Sequence, residues 1–310
     1  MGKRASCRWC VAVALAQNIS CKPGNFVELS LGTDMLCGEH PGGRWECFQP
    51  DEQGHARRFD IPRDDYLFVS PDGGGACAIR PEDSGVDCFG ENAPTPPDMQ
   101  VAALRYVAPE LILAIGLDGA AVSWSASEGY QEVPGVYESI TATEGAFAAY
   151  LSGTTVEFPF FDSVEPIPDV VAFDVGGYAG VHAWVGTDGC FHTDGTDIWG
   201  DISGTDCTAP FQPIVIGARA GAYALDEDGT VHQLDIVGTD GYGGSCPAPK
   251  GRFTSLARGG ELTCGLQRDG GVVCWEHNGW RGNKTQWVSE LSERYRPLED
   301  ATGHSYVDCG

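Results

Sequence analysis

The stretch from Phe253 to Asn278 reads FTSLARGGELTCGLQRDGGVVCWEHN. Three apolar runs are separated by a glycine pair and by Asp269-Gly270. Asp-Gly between apolar runs is a strong hairpin signal, because glycine tolerates the positive φ of a tight turn. Cys264 lies five residues before Asp269 and Cys274 five after it. Residues placed symmetrically about a hairpin turn face each other across two strands. Their Cα atoms then lie about 4.5–5.5 Å apart, a separation that a disulfide spans.

The pattern recurs through the chain. Cys77 and Cys88 flank Asp83-Ser84-Gly85, and Cys37 and Cys47 flank Gly42-Gly43. The stretches Leu113 to Trp124, Ala149 to Phe158, His182 to His192 and Tyr223 to Leu234 keep the turn and lose the cysteine pair. One column stays small: Gly38, Ala78, Ala114, Ala148, Ala183, Ala224, Gly265 and, at the end of the chain, Gly310. From Gly38 to Gly265 the column advances in six steps of about 38 residues. Repetition at this period means a solenoid, propeller or array, and all-β units with Asp-Gly hairpins favour a propeller.

The unit resembles the RCC1-like β-propeller repeat, whose core looks like G-x-x-H-x-C-A-L-x-x-D-G-x-V-x-C-W-G. Gly260 to Trp275 and Gly75 to Gly90 match it best, and Gly303 to Gly310 (GHSYVDCG) matches its front half. The resemblance covers about Asn25 to Gly310 and is weakest in repeats three to six. The WD40 pattern fits worse, since the chain has no Trp-Asp dipeptide. The expected fold is therefore an all-β, seven-bladed propeller of antiparallel sheets, its ring closed by the two chain ends. Residues 18–310 form one domain, with repeats near 26–64, 65–98, 99–134, 135–168, 169–210, 211–250 and 251–297 and a partial copy at 298–310. Members of the family include a guanine-nucleotide exchange factor and a secreted β-lactamase inhibitor, so the resemblance implies binding rather than one task. No exchange-factor loop can be matched residue by residue.

Composition narrows the function. The formal charge of −25 repels phosphate backbones and argues against nucleic-acid binding. No apolar run is long enough to span a membrane. Thirteen cysteines, three pairs of them at hairpin spacing, point to an oxidising compartment, secreted or periplasmic or at the cell surface. Each hairpin bridge contributes about 2–3 kcal/mol in the chain-entropy account. The alternative is free thiols packed as small hydrophobes. Zinc fits less well, because the pairs are ten or eleven residues apart.

Met1 to Gln17 has a basic start, a short apolar run and Ala14-Leu15-Ala16, and resembles a secretory signal. It also reads as a closure strand, Cys7-Arg8-Trp9 loosely echoing Cys274-Trp275. If residues 1–17 are removed, Cys21 is the expected partner of Cys309. The aromatics Phe48, Phe89, Trp124, Phe158 and Trp275 are expected to pack between neighbouring blades.

Repeats five to seven carry longer Gly-rich connections after the third strand: Thr193 to Pro210, Asp235 to Pro249 and Glu276 to Pro297. They hold Trp199, Tyr242, Trp280 and Trp287. Equivalent connections of adjacent blades share one face of the disc, so these rings are candidate anchors for a protein partner of a monomeric propeller. Their plainer role is to staple each loop to its own blade. Cys207 and Cys246 occupy matching places and either bridge each other or tie back to Cys190. Gln286 to Arg294 reads as a short helix.

The sequence carries few motifs of metal binding or catalysis. Asp188, Asp194, Asp197, Asp201 and Asp206 lack the ligand spacing of a calcium loop, as does Asp226-Glu227-Asp228-Gly229. His192 and His232 fall near matching positions of adjacent blades. No nucleophile elbow, phosphate loop or dinucleotide fingerprint occurs. No cofactor, metal or catalytic residue is expected. The rival readings are a lyase or hydrolase using the central funnel and a carbohydrate-binding lectin. The first needs polar residues converging on the axis, and the inner columns legible here are Gly and Ala. The second needs an aromatic-plus-Asp pocket in each blade, whereas the aromatics cluster in three loops.

Overall fold

The computed structural model describes residues 26–72, 74–90, 93–96, 98–107, 111–125, 129–142, 148–159, 165–176, 181–197, 200–218, 221–235, 248–259, 262–276, 290 and 306–307. Met1–Gln17, Cys21, Trp199, Tyr242, Cys246, Trp280, Trp287, Cys309 and all of Gln286–Arg294 except Glu290 lie outside them.

Every named element among the described residues is a strand, and the strands form seven sheets of three or four. Blade one holds β1 (Glu28–Leu31), β2 (Leu36–His40), β3 (Arg44–Pro50) and β4 (Ala56–Phe59). Blade two holds β5 (Phe68–Asp72), β6 (Gly75–Ile79) and β7 (Val86–Gly90). Blade three holds β8 (Val101–Val107), β9 (Leu111–Gly116), β10 (Ala121–Ser125) and β11 (Gly129–Val133). Blade four holds β12 (Ser139–Ala142), β13 (Ala148–Ser152) and β14 (Thr155–Glu157). Blade five holds β15 (Val170–Gly176), β16 (Val181–Gly186), β17 (Phe191–Asp197) and β18 (Gly200–Asp206). Blade six holds β19 (Phe211–Ala218), β20 (Gly221–Asp226) and β21 (Val231–Asp235). Blade seven holds β22 (Phe253–Gly259), β23 (Leu262–Gln267), β24 (Val272–Glu276) and β25 (Tyr306–Val307). Strands run in chain order within each blade and pair antiparallel, except that β25 lies parallel to β24.

The parallel pairing revises the reading of GHSYVDCG. Tyr306–Val307 complete the seventh sheet rather than opening another. The stretch from 277 to 305 exceeds the dozen or so residues that a parallel return needs.

The turns join the blades as well as the strands. The N–H of Val101 donates to the Ser84 carbonyl (2.8 Å), that of Tyr137 to Gly119 (2.9 Å) and that of Phe253 to Gly229 (2.7 Å). In blades three, four and seven the residue that opens the blade thus bonds to the hairpin turn of the blade before. The small column also has a steric cause. The ring of Phe26 lies over Gly38 and that of Phe253 over Gly265, where a Cβ would collide with it.

The core is a set of inter-blade clusters rather than one centre. Trp124 packs with Cys77 and Ile79 of blade two, and Phe89 with Phe59 and Tyr66. Phe158 packs with Val170 and Val175 of blade five, and Trp275 meets Tyr223 of blade six edge-on at 5.7 Å. At the seam, Phe48, Phe26 and Leu29 of blade one join Ala257, Leu266 and Val272 of blade seven. There a Cβ on Gly259 would strike the Gly32 backbone, and at the next junction one on Gly32 would strike the Pro71 backbone of blade two. Glu290 closes the seam from outside, accepting from the Ala56 N–H (2.9 Å) and pairing with His55 Nδ1 (2.7 Å).

Four disulfides join described residues. Cys37–Cys47, Cys77–Cys88 and Cys264–Cys274 cross facing strands with Cα separations of 4.1, 4.1 and 4.0 Å. Cys190–Cys207 is the fourth. It rests on a correction: Thr193 to Pro210 is largely strand, β17 and β18 pairing as far as Asp197↔Gly200.

Candidate functional site

The first strand of each blade lies nearest the axis. Residues of β1, β5, β8, β12, β15 and β22 together line one axial cavity of about 340 Å³. The Gly and Ala column lies one strand further out, on β2, β6, β9, β13, β16, β20 and β23. The expectation of a bland inner surface is therefore overturned. Polar and charged side chains do converge on the axis: Glu28, Asp72, Arg105, Thr141, Asp174 and Arg258.

A recurrent irregularity contributes. The first strands of blades three, five, six and seven carry a register shift near their start, between Val101/Ala103, Val170/Ala172, Phe211/Val215 and Phe253/Ser255. Such a bulge re-aims the residues that follow. Arg105, Asp174 and Arg258 each follow one.

Most of the charge is internally engaged. The Asp174 carboxylate accepts from the Thr141 hydroxyl and lies 3.6 Å from Arg258 Nε. Arg258 also donates to the Val175 carbonyl at 2.8 Å, so blades four, five and seven share one polar network. Asp72 accepts from the Thr33 N–H (3.1 Å) and hydroxyl (2.5 Å). Arg105 differs: its guanidinium lies over the Phe68 ring, 5.6 Å from the centroid, and makes no hydrogen bond or ion pair among the described residues. Enclosure by protein lowers its pKa, opposed by Asp174 and reinforced by Arg258.

Glu28 is open to water through the cavity, yet protein encloses it on most sides. That enclosure raises its carboxyl pKa, with Arg105 opposing. Glu39, its partner across β1 and β2, is pushed up to about 7, first by burial and then by the Glu28 charge.

The histidines singled out by position are held separately. His192 stacks on Trp184 (5.2 Å) and meets Asp188 and Thr205. His232 bridges Asp206 of blade five (3.0 Å) and Asp226 of blade six (3.1 Å). Burial alone would raise Asp226, but hydrogen bonds from the Thr230 N–H and His232 outweigh it and lower the carboxyl. Asp188, Cys190 and His192 bring ligand atoms within 4.8 Å of one another. Cys190 is consumed by its bridge to Cys207 and supplies no thiolate for a metal. The candidate anchors Trp199, Tyr242, Trp280 and Trp287 lie outside the described residues.

No protein-family model and no curated protein matches the chain. Among solved structures it is similar to the CRINKLY WD40 ectodomain of the Arabidopsis thaliana receptor kinase ACR4, with TM-score 0.61 and 17% identity over 82% of this chain and 99% of that one. The entire ectodomain of the Physcomitrella patens receptor kinase CR4 gives TM-score 0.60 and 17% identity over 80% and 72%. These likenesses show the fold. The chain is a seven-bladed β-propeller. Yeast RCC1 (Prp20) is more distant, with TM-score 0.41 and 10% identity over 81% of this propeller and 70% of that chain. No helix among the described residues is long and apolar enough to cross a membrane.

Proposed function

We propose that this is a non-enzymatic recognition propeller working outside the cytoplasm, secreted, periplasmic or at the cell surface. It presents the connections that follow the third strand of blades five to seven to a protein partner. The four disulfides support the oxidising setting. The two similar propellers are themselves ectodomains. The observation that carries the binding face is the outer hairpin of blade five. Its strands are seven residues long, against five in the equivalent hairpin of blade three. At about 3.4 Å per residue, two more residues move its tip about 7 Å further along the strand direction. A chain of net charge −25 favours a basic partner.

The test is capture of extracellular proteins by immobilised wild-type chain, by Tyr242→Ala/Trp280→Ala and by Leu67→Asp. Leu67 is 56% exposed and precedes a first strand, on the opposite face of the disc. The expected result is a protein retained by the wild type and by Leu67→Asp and lost from the double variant. Equal capture by all three would remove this face from the account.

A further inference from the structure

We propose that the axial cavity binds a small monocarboxylate carried on an apolar body, with the Arg105 guanidinium as its anchor. Arg105 is the cavity cation without a bonded counter-charge among the described residues. Arg258 is engaged by Asp174 and the Val175 carbonyl, and Asp72 by Thr33. A cation enclosed by protein and left at a distance from its counter-charges gains by accepting an anion. The ring of Phe68 lies 5.6 Å from the guanidinium carbon and takes none of its N–H groups as a hydrogen-bond partner, which leaves them for a ligand. That planar fork matches two oxygens of a carboxylate or a phosphate.

The rest of the wall chooses between them. Glu28, Asp72 and Asp174 line the same cavity and oppose a multiply charged phosphate. Phe68, Ile140, Phe173 and Leu256 also line it and offer contact to an apolar body. A volume of about 340 Å³ lies at the small end of ligand sites. The site is on the axis, so it stands or falls separately from the loop face.

The probes are sodium benzoate and inorganic phosphate at constant ionic strength. They are followed by saturation-transfer NMR and by thermal shift of the full chain, its Arg105→Gln variant and its Arg105→Lys variant. Benzoate is expected to bind the wild type saturably and raise its Tm with concentration. Arg105→Gln should abolish both signals, and Arg105→Lys, which keeps the charge and loses the fork, should weaken binding about tenfold or more. Without probe, the Tm of Arg105→Gln should equal or exceed that of the wild type, because an unpaired enclosed cation has been removed. Absence of benzoate binding, undiminished binding in Arg105→Gln, or phosphate binding in place of benzoate would each overturn the proposal. So would a Tm several degrees lower in both variants without probe, which would make Arg105 a structural residue.

Discussion

Two arcs of the ring share one blade design and are held together differently. Blades three and four follow each other through a short connection, and their inner faces meet through Leu113, Ile115, Tyr137 and Tyr150. Blades seven and one are neighbours without consecutive sequence, so that contact has no short peptide link behind it. There the Cys264–Cys274 bridge of blade seven lies within the seam cluster, while the Cys37–Cys47 bridge of blade one faces blade two. At the corresponding register blade three has Leu113 opposite Ser123. The seam also carries the backbone contact of Gly259 with Gly32 and the clasp of Glu290 on His55. At these two junctions the contrast is a bridge within the cluster where chain continuity is missing and apolar packing where the chain runs through, while the bridges of blades two and five show that reinforcement is not confined to the seam.

The difference can be broken most strongly at the bridge. Cys264→Ala/Cys274→Ala is expected to lower stability by about 2–3 kcal/mol from lost chain constraint. The added loss of bulk at two fully buried sites deepens the effect, seen in the denaturant midpoint. A smaller effect follows from crowding the seam. Gly259→Ala forces backbone apart and should destabilise by about 1–3 kcal/mol. Gly204→Ala in β18, whose Cβ would meet Thr193 Cγ2 at an ordinary 3.6 Å, should be close to neutral by the same measurement.

The smallest effect is pH dependence in blade one, at Glu39 and at the His55 end of the Glu290 clasp. Glu39 has a folded pKa raised to about 7 from 4.5, so the folded chain holds more protons than the unfolded one between those values. His55 is raised above 6.5, chiefly by its hydrogen bond to Glu290, and that contribution is present below 6.5 and lost as pH rises through the folded value. Both signs agree: thermal melts should show stability increasing as pH falls from about 7 to about 5. Glu39→Gln should remove most of the slope and Glu290→Gln a lesser part.

How much of this was legible follows from the same physics. Asp269-Gly270 and the symmetric cysteines disclose hairpins because turn chemistry and cross-strand pairing are local. The rule that pairs Cys264 with Cys274 also pairs Cys190 with Cys207 once β17 and β18 are recognised as a hairpin. Reading Gly195 and Gly204 as loop residues left that pairing as one of two alternatives, of which the bond from Cys207 to Cys190 is the one formed, since glycine within a strand looks like a break. The axial charges were not legible for another reason. Alternation places side chains only while register is unbroken, and a bulge precedes each of Arg105, Asp174 and Arg258. The parallel return of Tyr306–Val307 is a tertiary pairing with no local signal.

Hydrogen exchange resolved by peptide, on wild type and on Cys264→Ala/Cys274→Ala, tests the closed seam most directly. The account predicts that Phe26–Leu31 of blade one loses protection together with Ala257–Leu266 of blade seven, while Leu111–Gly116 of blade three keeps its own. Loss confined to blade seven, with blade one unchanged, would contradict a ring closed by contact between its first and last blades.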